Sequence, residues 1–231
     1  MLDDRVEVAL DDGRRAVVVL AGSNLGDFAA TSDPVALAAT RRRVVDLPWT
    51  WLTQVHGADV VRVTRPGEHA GAAADGAVTT ISGAALAVQA ADCAPIALIA
   101  PAGAVGVVHA GWRGLLDGVV ARSVAELRVA AGADEVRAVL GPCIGPECYE
   151  FSPSDLEPLV DRFGADVAGR TTSGAPALDV PAAVAAALAE LDVSLATASA
   201  QCTACGDGGW YSHRARGETG RHAIVAWIDR Q

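Results

Sequence analysis

The chain has 231 residues, 51% of them hydrophobic, which is enough for one compact domain with a sizeable buried core. A formal net charge of −10 argues against a nucleic-acid surface, which needs clustered positive charge, but leaves room for a small phosphate-bearing ligand held by local arginines. All 18 basic residues are arginine, so Schiff-base and Walker-type lysine chemistry are excluded.

In chain order, Met1-Leu2-Asp3-Asp4 carries no basic region, apolar core or small-residue cleavage pattern and does not read as a secretory signal. No apolar run approaches the roughly eighteen residues of a membrane span, so the expected location is the cytoplasm, with no membrane partner. Arg5–Leu10 and Arg15–Leu20 read as a hairpin closed by Asp11-Asp12-Gly13. Asp33-Pro34 gives the cap-then-proline start of a helix running to about Val45, and Arg41, Arg42 and Arg43 complement the dipole at its end. Strands are predicted near Trp49–Thr53, Val60–Val63, Ala77–Thr79, Ala85–Ala90, Ile96–Ala100 and Val105–Val108. A helix over Leu115–Val129, a strand over Val136–Leu140, helices over Ser154–Phe163 and Pro181–Leu191 and a closing strand over Ile224–Ile228 complete the pattern. Arg170–Ala177 reads as a flexible surface stretch. The expected class is α+β, a single domain over 1–231 with a large mixed sheet core and helices outside.

Three segments share one grammar, in which an apolar strand delivers a reactive side chain into a turn. His109 follows Val105-Gly-Val-Val108 and precedes Ala-Gly-Trp-Arg113-Gly114; His56 follows Trp51-Leu-Thr-Gln-Val55 and precedes Gly57; Asp92-Cys93 ends Ala87-Val-Gln-Ala-Ala91. His56, Cys93 and His109 match the ligand set of a catalytic zinc site, with three protein ligands and an open fourth position. Their separations of 37 and 16 residues fit no finger or knuckle, so tertiary folding must assemble the site. Taken singly, a histidine after a strand is more often a satisfied polar residue than a ligand, and it is the three strand-end residues together that favour the metal reading. Cys202-Thr-Ala-Cys205 has the spacing of a zinc or redox pair, but a second CxxC or CxxH is missing and no separate metal site is assigned there. The five cysteines read as free thiols of a reducing compartment.

Gln54-Val-His-Gly57, Ala91-Asp-Cys-Ala-Pro95, Val108-His-Ala-Gly-Trp-Arg-Gly114 and Gly141-Pro-Cys-Ile-Gly-Pro146 followed by Cys148-Tyr-Glu150 resemble the YfiH family. So do Cys202-Thr203, Tyr211-Ser-His-Arg214 and Thr219-Gly-Arg221, and the match runs in order from about Ser23 to the C-terminus. The resemblance implies a layered α/β/β/α fold related to a cysteine hydrolase fold. It also implies a metal, usually zinc, at His56, Cys93 and His109. The family was formerly described as multicopper polyphenol oxidase (laccase), and its implied activities are purine nucleoside phosphorylase and adenosine deaminase. Two departures stand out. The glycine-rich first loop is shortened around Ser23-Asn24-Leu25-Gly26, and Glu147 stands where the family often has the first of two cysteines.

Arg113 offers a bidentate fork for phosphate beside a helix start at Gly114, and Asp92 could orient a ligating histidine, act as an acid or base, or cap a turn. Tyr149 is a stacking surface for a flat base. Asn24, Arg42, Gln54, His213 and Arg214 are the further candidate substrate contacts. The leading reading is a zinc-dependent purine nucleoside phosphorylase taking adenosine, inosine or S-methyl-5′-thioadenosine with phosphate, and deaminating adenosine on the same metal. A copper-dependent phenol oxidase ranks lower, because several copper centres need many histidines and the chain has five. Below it stand a cysteine-histidine hydrolase with Cys93 as nucleophile and a catalytically silent binding protein.

Overall fold

The structure is a computed structural model and describes residues 5–206 and 208–229. Met1-Leu2-Asp3-Asp4, on which the reading of the N-terminus rests, lies outside the described residues. In chain order the elements are β1 (Arg5–Ala9), β2 (Arg15–Ala21), α1 (Pro34–Val44), β3 (Trp49–Thr53), β4 (Val60–Val63), β5 (Ala72–Ala73), β6 (Gly76–Thr79), β7 (Ala85–Ala90), β8 (Ala94–Ala100), β9 (Ala104–Ala110), α2 (Trp112–Leu116) and α3 (Val119–Ala131). They continue with β10 (Arg137–Leu140), α4 (Pro153–Phe163), β11 (Ala168–Arg170), β12 (Pro176–Leu178), α5 (Val180–Ala189), β13 (Ser194–Ala198), α6 (His213–Arg216) and β14 (His222–Asp229).

Two six-stranded mixed sheets, in the orders β1-β2-β14-β7-β3-β5 and β13-β10-β8-β9-β6-β4, stack face to face. Strand alternation explains the layers. Ala16 and Val18 of β2, Leu86 and Val88 of β7, Ile224 and Ala226 of β14 meet Ala97, Ile99, Val105 and Val107 of the second sheet. The opposite face of β2, β7 and β14, with Val17, Val19, Ala85, Ala87 and Trp227, packs against Phe28, Val44 and Trp49 around α1. The outer face of the second sheet, with Ile96, Leu98 and Val108, is covered by Val120, Val124 and Leu127 of α3 and Val184 of α5. β7, β8 and β9 are therefore buried on both faces, which is why their sequences are near-continuous apolar runs, broken by Gln89 in β7 and His109 in β9. The α/β/β/α layering is the one the resemblance implied.

Local chemistry fixes the ends. Gly13 takes φ +85 in the β1-β2 turn, and Asp33 accepts from the amides of Val35 and Ala36 to cap α1. Two expectations need correction, and one strand, β13, is missing from the predicted set. The predicted helix over Leu115–Val129 is two, because Gly118 at φ +83 breaks it and the first begins at Trp112, so Arg113 lies within the first turn rather than before it. Arg170–Ala177 is the arm and turn of the β11-β12 hairpin, closed by Gly174 at φ +86. β13 pairs in parallel with β10 at the sheet edge, where its exposed residues give no alternating apolar signal. No helix among the described residues is long and apolar enough to cross a membrane.

Candidate active site and metal centre

β9 carries His109 at its end, the turn between β7 and β8 carries Cys93, and the loop after β3 carries His56. Their donor atoms lie within 4.8 Å of one another, with Cys93 Sγ 3.8 Å from His56 Nε2 and the two imidazoles edge-on at 4.9 Å. The three form the floor of a cavity of about 510 Å³, also lined by Asp92, Trp112, Arg113, Tyr149, His213, Arg214 and Arg221. Gly111, the cap of α2, makes this convergence possible. A Cβ there would stand 2.8 Å from His56 Cδ2 and 3.3 Å from Cys93 Sγ, although the backbone, at φ −76, tolerates alanine. Gly111→Ala is expected to lower metal affinity about tenfold or more while barely moving the thermal midpoint, read by competition with a chelator. Wild-type affinity would show that the three donors do not act together.

Asp75, at the head of β6, organises the floor, a role that its sequence neighbours do not reveal. It is fully buried, and its carboxylate accepts from the amides of Val55 (3.1 Å), His56 (3.0 Å) and Gly57 (2.9 Å) and from His109 Nδ1 (2.8 Å). It thereby holds the left-handed His56, φ +60, and leaves His109 Nε2 as the free donor. Burial works to raise the Asp75 carboxyl, but the hydrogen bonds from His109 and the amides outweigh it and hold it below the ordinary carboxylate value. The one sequence signal is an acid inside the otherwise apolar Ala72–Val78.

Without a metal, the same geometry makes an ion pair. Burial opposes charge on both groups, yet the charge and hydrogen bonding of His109, with His56, bring the Cys93 thiol down to about 6. Burial likewise lowers His109, but the Cys93 thiolate and the Asp75 carboxylate prevail and raise it to about 9. Because Cys93 loses its proton above pH 6, alkylation of metal-free protein at this residue should already be fast at pH 7 and fall as pH drops through about 6. A midpoint near 9, that of an ordinary thiol, would contradict the pairing.

Asp92 sits at φ +97, its Oδ1 accepting from Thr203 Oγ1 and its Oδ2 from the Arg214 amide, both at 2.7 Å. The histidine-orienting role considered for it belongs to Asp75; Asp92 instead ties the pocket rim to the segment carrying Arg214. Gln54 lines the cavity but its carboxamide bonds both ways to the backbone of Gln89, at 2.7 and 2.8 Å, extending the β3-β7 pairing. Arg113 stacks on Trp112 at 4.3 Å, and Arg214 stacks on Tyr149 at 4.6 Å. Burial, with the Cys93 charge, pushes Tyr149 up to about 12. Arg221 completes a group of three pocket arginines; its amide is held by Asp27 at 2.8 Å and its guanidinium by the carbonyls of Thr219 and Gly220.

Two candidate contacts do not reach the cavity. Asn24 is exposed in a turn that packs on Gly208 and Gly209, with Ala30 the part of this shortened segment that lines the pocket. Arg42 is exposed on α1, whose buried face is Leu37, Thr40 and Val44; its neighbour Arg41 is the one turned inward, over Trp49 and Trp51.

A family model described as multi-copper polyphenol oxidoreductase laccase matches residues 16–229. A Streptomyces griseus protein named purine nucleoside phosphorylase ORF3 is 40% identical over 217 residues, covering 89% of this chain and 87% of that protein. The crystal structure of Neisseria meningitidis protein NMB0706 superposes with a TM-score of 0.83 at 26% identity, over 99% of this chain and 100% of that one. The Bacillus licheniformis protein YfiH shares the fold, with a TM-score of 0.79 at 23% identity over 92% of each chain.

Proposed function

We propose, from the premise that this chain belongs to the family described as multi-copper polyphenol oxidoreductase laccase, the YfiH family, that it is a metal-dependent purine nucleoside phosphorylase with adenosine deamination as its second reaction. The substrates are adenosine, inosine or S-methyl-5′-thioadenosine with phosphate, and residues 1–231 act as one catalytic domain in the cytoplasm. The observation that carries this reading is a three-donor floor beneath a cavity lined by three arginines and two flat rings.

His56, Cys93 and His109 are the residues that would hold the cation. They fit it: two imidazoles and a thiol converge, and a buried carboxylate aims one imidazole. Zinc is the proposed ion, with copper the alternative, and when bound it supplies a Lewis acid at the pocket floor. In phosphorolysis a phosphate oxygen bonds to the ribose C1′ as the C1′–N9 bond breaks, its electron pair leaving with the purine. Arg113, Arg214 and Arg221 hold the anion, with Arg113 stacked on Trp112 and Arg214 and Arg221 bonded to backbone carbonyls. Tyr149 and Trp112 flank the base, and Tyr149 keeps its proton at neutral pH and so can donate a hydrogen bond to the departing purine. With adenosine and metal-replete protein, added phosphate should raise adenine and ribose 1-phosphate and leave the deaminated products, inosine plus the hypoxanthine cleaved from it, flat or lower in sum, since phosphate takes no part in deamination. No free base at saturating phosphate would sink the phosphorylase reading.

One observation favours a second reading. Cys93, His109 and Asp75 stand in the order of a nucleophile, its base and an orienting acid, as a cysteine hydrolase requires. Hydrolysis that survives demetallation and is abolished in Cys93→Ser would select it.

A further inference from the structure

A second donor cluster lies outside the pocket floor. Glu147, Cys148, Cys202 and Cys205 each place one ligand atom within 4.8 Å of the others. Glu147 and Cys148 come from the single turn Pro146–Cys148, and Cys202 and Cys205 from the turn after β13. The Gly206 amide donates to the Cys202 carbonyl at 3.0 Å, closing the second turn. Gly145 leaves the space into which the Glu147 carboxylate folds.

We propose that these four side chains form a closed structural site for a zinc-type divalent cation, separate from His56, Cys93 and His109. Three sulfurs and one carboxylate oxygen meet the coordination number of structural zinc and leave no open position, which distinguishes this cluster from a catalytic centre. Zinc–sulfur bonds of about 2.3 Å give tetrahedral edges of about 3.8 Å, so the cluster has to contract by about 1 Å or less. The Gly145 amide donates to Cys202 Sγ at 3.2 Å, stabilising negative charge on that sulfur. Cys205 Sγ donates to Glu147 Oε1 at 3.2 Å, and binding replaces this proton by the cation. Arg216, paired with Glu218 at 2.9 Å, donates to the carbonyls of Thr203 and Ala204, at 3.2 and 3.0 Å, and so braces the turn between Cys202 and Cys205. Cys205 is exposed and gives an entry path.

The site would act on the pocket through its neighbours in sequence. Cys148 precedes Tyr149 of the cavity wall, and Cys202 precedes Thr203, whose hydroxyl holds Asp92. One ion would thus clamp two separate segments of the wall.

Reduced, metal-stripped wild-type protein alkylated with iodoacetamide, with and without added Zn²⁺, tests this by peptide mapping. Zinc should slow modification of Cys148, Cys202 and Cys205 by about tenfold or more. The Cys202→Ser/Cys205→Ser variant should bind about one ion fewer per chain, and Glu147→Cys should tighten binding, since a thiolate replaces a carboxylate. Equal Cys205 alkylation with and without zinc in the wild type would overturn the proposal, as would unchanged stoichiometry in the double variant. Cys93 lies on a different peptide, so failure at the pocket floor is read independently.

Discussion

Replacing Asp75 by asparagine is expected to yield a folded protein that has lost its pocket metal. The amide keeps the volume of the acid but offers one acceptor oxygen where the carboxylate had two. If that oxygen stays with the amides of Val55 and Gly57, the new NH₂ faces His109 Nδ1 and the amide of His56. His109 must then accept at Nδ1 and carry its proton on Nε2, which removes the donor aimed at the floor. Metal affinity should fall about ten- to a hundredfold, the range for losing the partner of a ligating histidine. Asp75→Ala is harsher. It strands three partly buried amides and the buried imidazole of His109, at a cost of about 3–5 kcal/mol, a large part of the stability of a domain this size. Thermal midpoints and metal retained against a chelator measure both variants. Wild-type retention in Asp75→Asn would mean that His109 does not ligate through Nε2.

What is legible in the sequence follows from where signals are local. β7, β8 and β9 are buried on both faces, so their apolar runs identify them without any knowledge of partners, and the strand-end positions of Cys93 and His109 follow from those runs. β13 carries no such mark, because it is an exposed edge strand held by backbone pairing with β10. The break at Gly118 is hidden within spacing that suits one continuous helix.

At the site, the invisible parts are those made by pairing distant segments. Asp75 and His109 lie 34 residues apart, and nothing local to either shows that they meet. Asp92 stands next to a proposed ligand in sequence and so attracts the role that Asp75 fills in space. The second donor cluster is hidden for the same reason. Cys202 and Cys205 lack a second pair nearby in sequence, while their partners come from a Glu-Cys turn whose Cys148 lies 57 residues before Cys205. Arg221 carries no local sign of its role, because its place in the pocket depends on Asp27, 194 residues away, gripping its amide.

Arg113→Ala should raise the phosphate concentration needed for half-maximal phosphorolysis by about tenfold or more, the loss expected for a charge-assisted hydrogen bond or two, while leaving metal content near wild type. The geometry separates the two effects. The Arg113 guanidinium lies over Trp112 and is not among the donors on the floor, so its removal takes positive charge from the cavity without unpairing His109 or Asp75. Arg214 and Arg221 are each committed to backbone carbonyls, to Glu150 in one case and to Thr219 and Gly220 in the other, which limits their freedom to take over the anion. Arg113→Lys should restore part of the loss only, because an ammonium supplies charge but neither the two-pronged geometry nor the flat stack on the indole. Steady-state rates across a phosphate series, at saturating nucleoside, give the answer. A phosphate dependence unchanged in Arg113→Ala would move the anion to Arg214 and Arg221, and their replacement would then have to produce the shift.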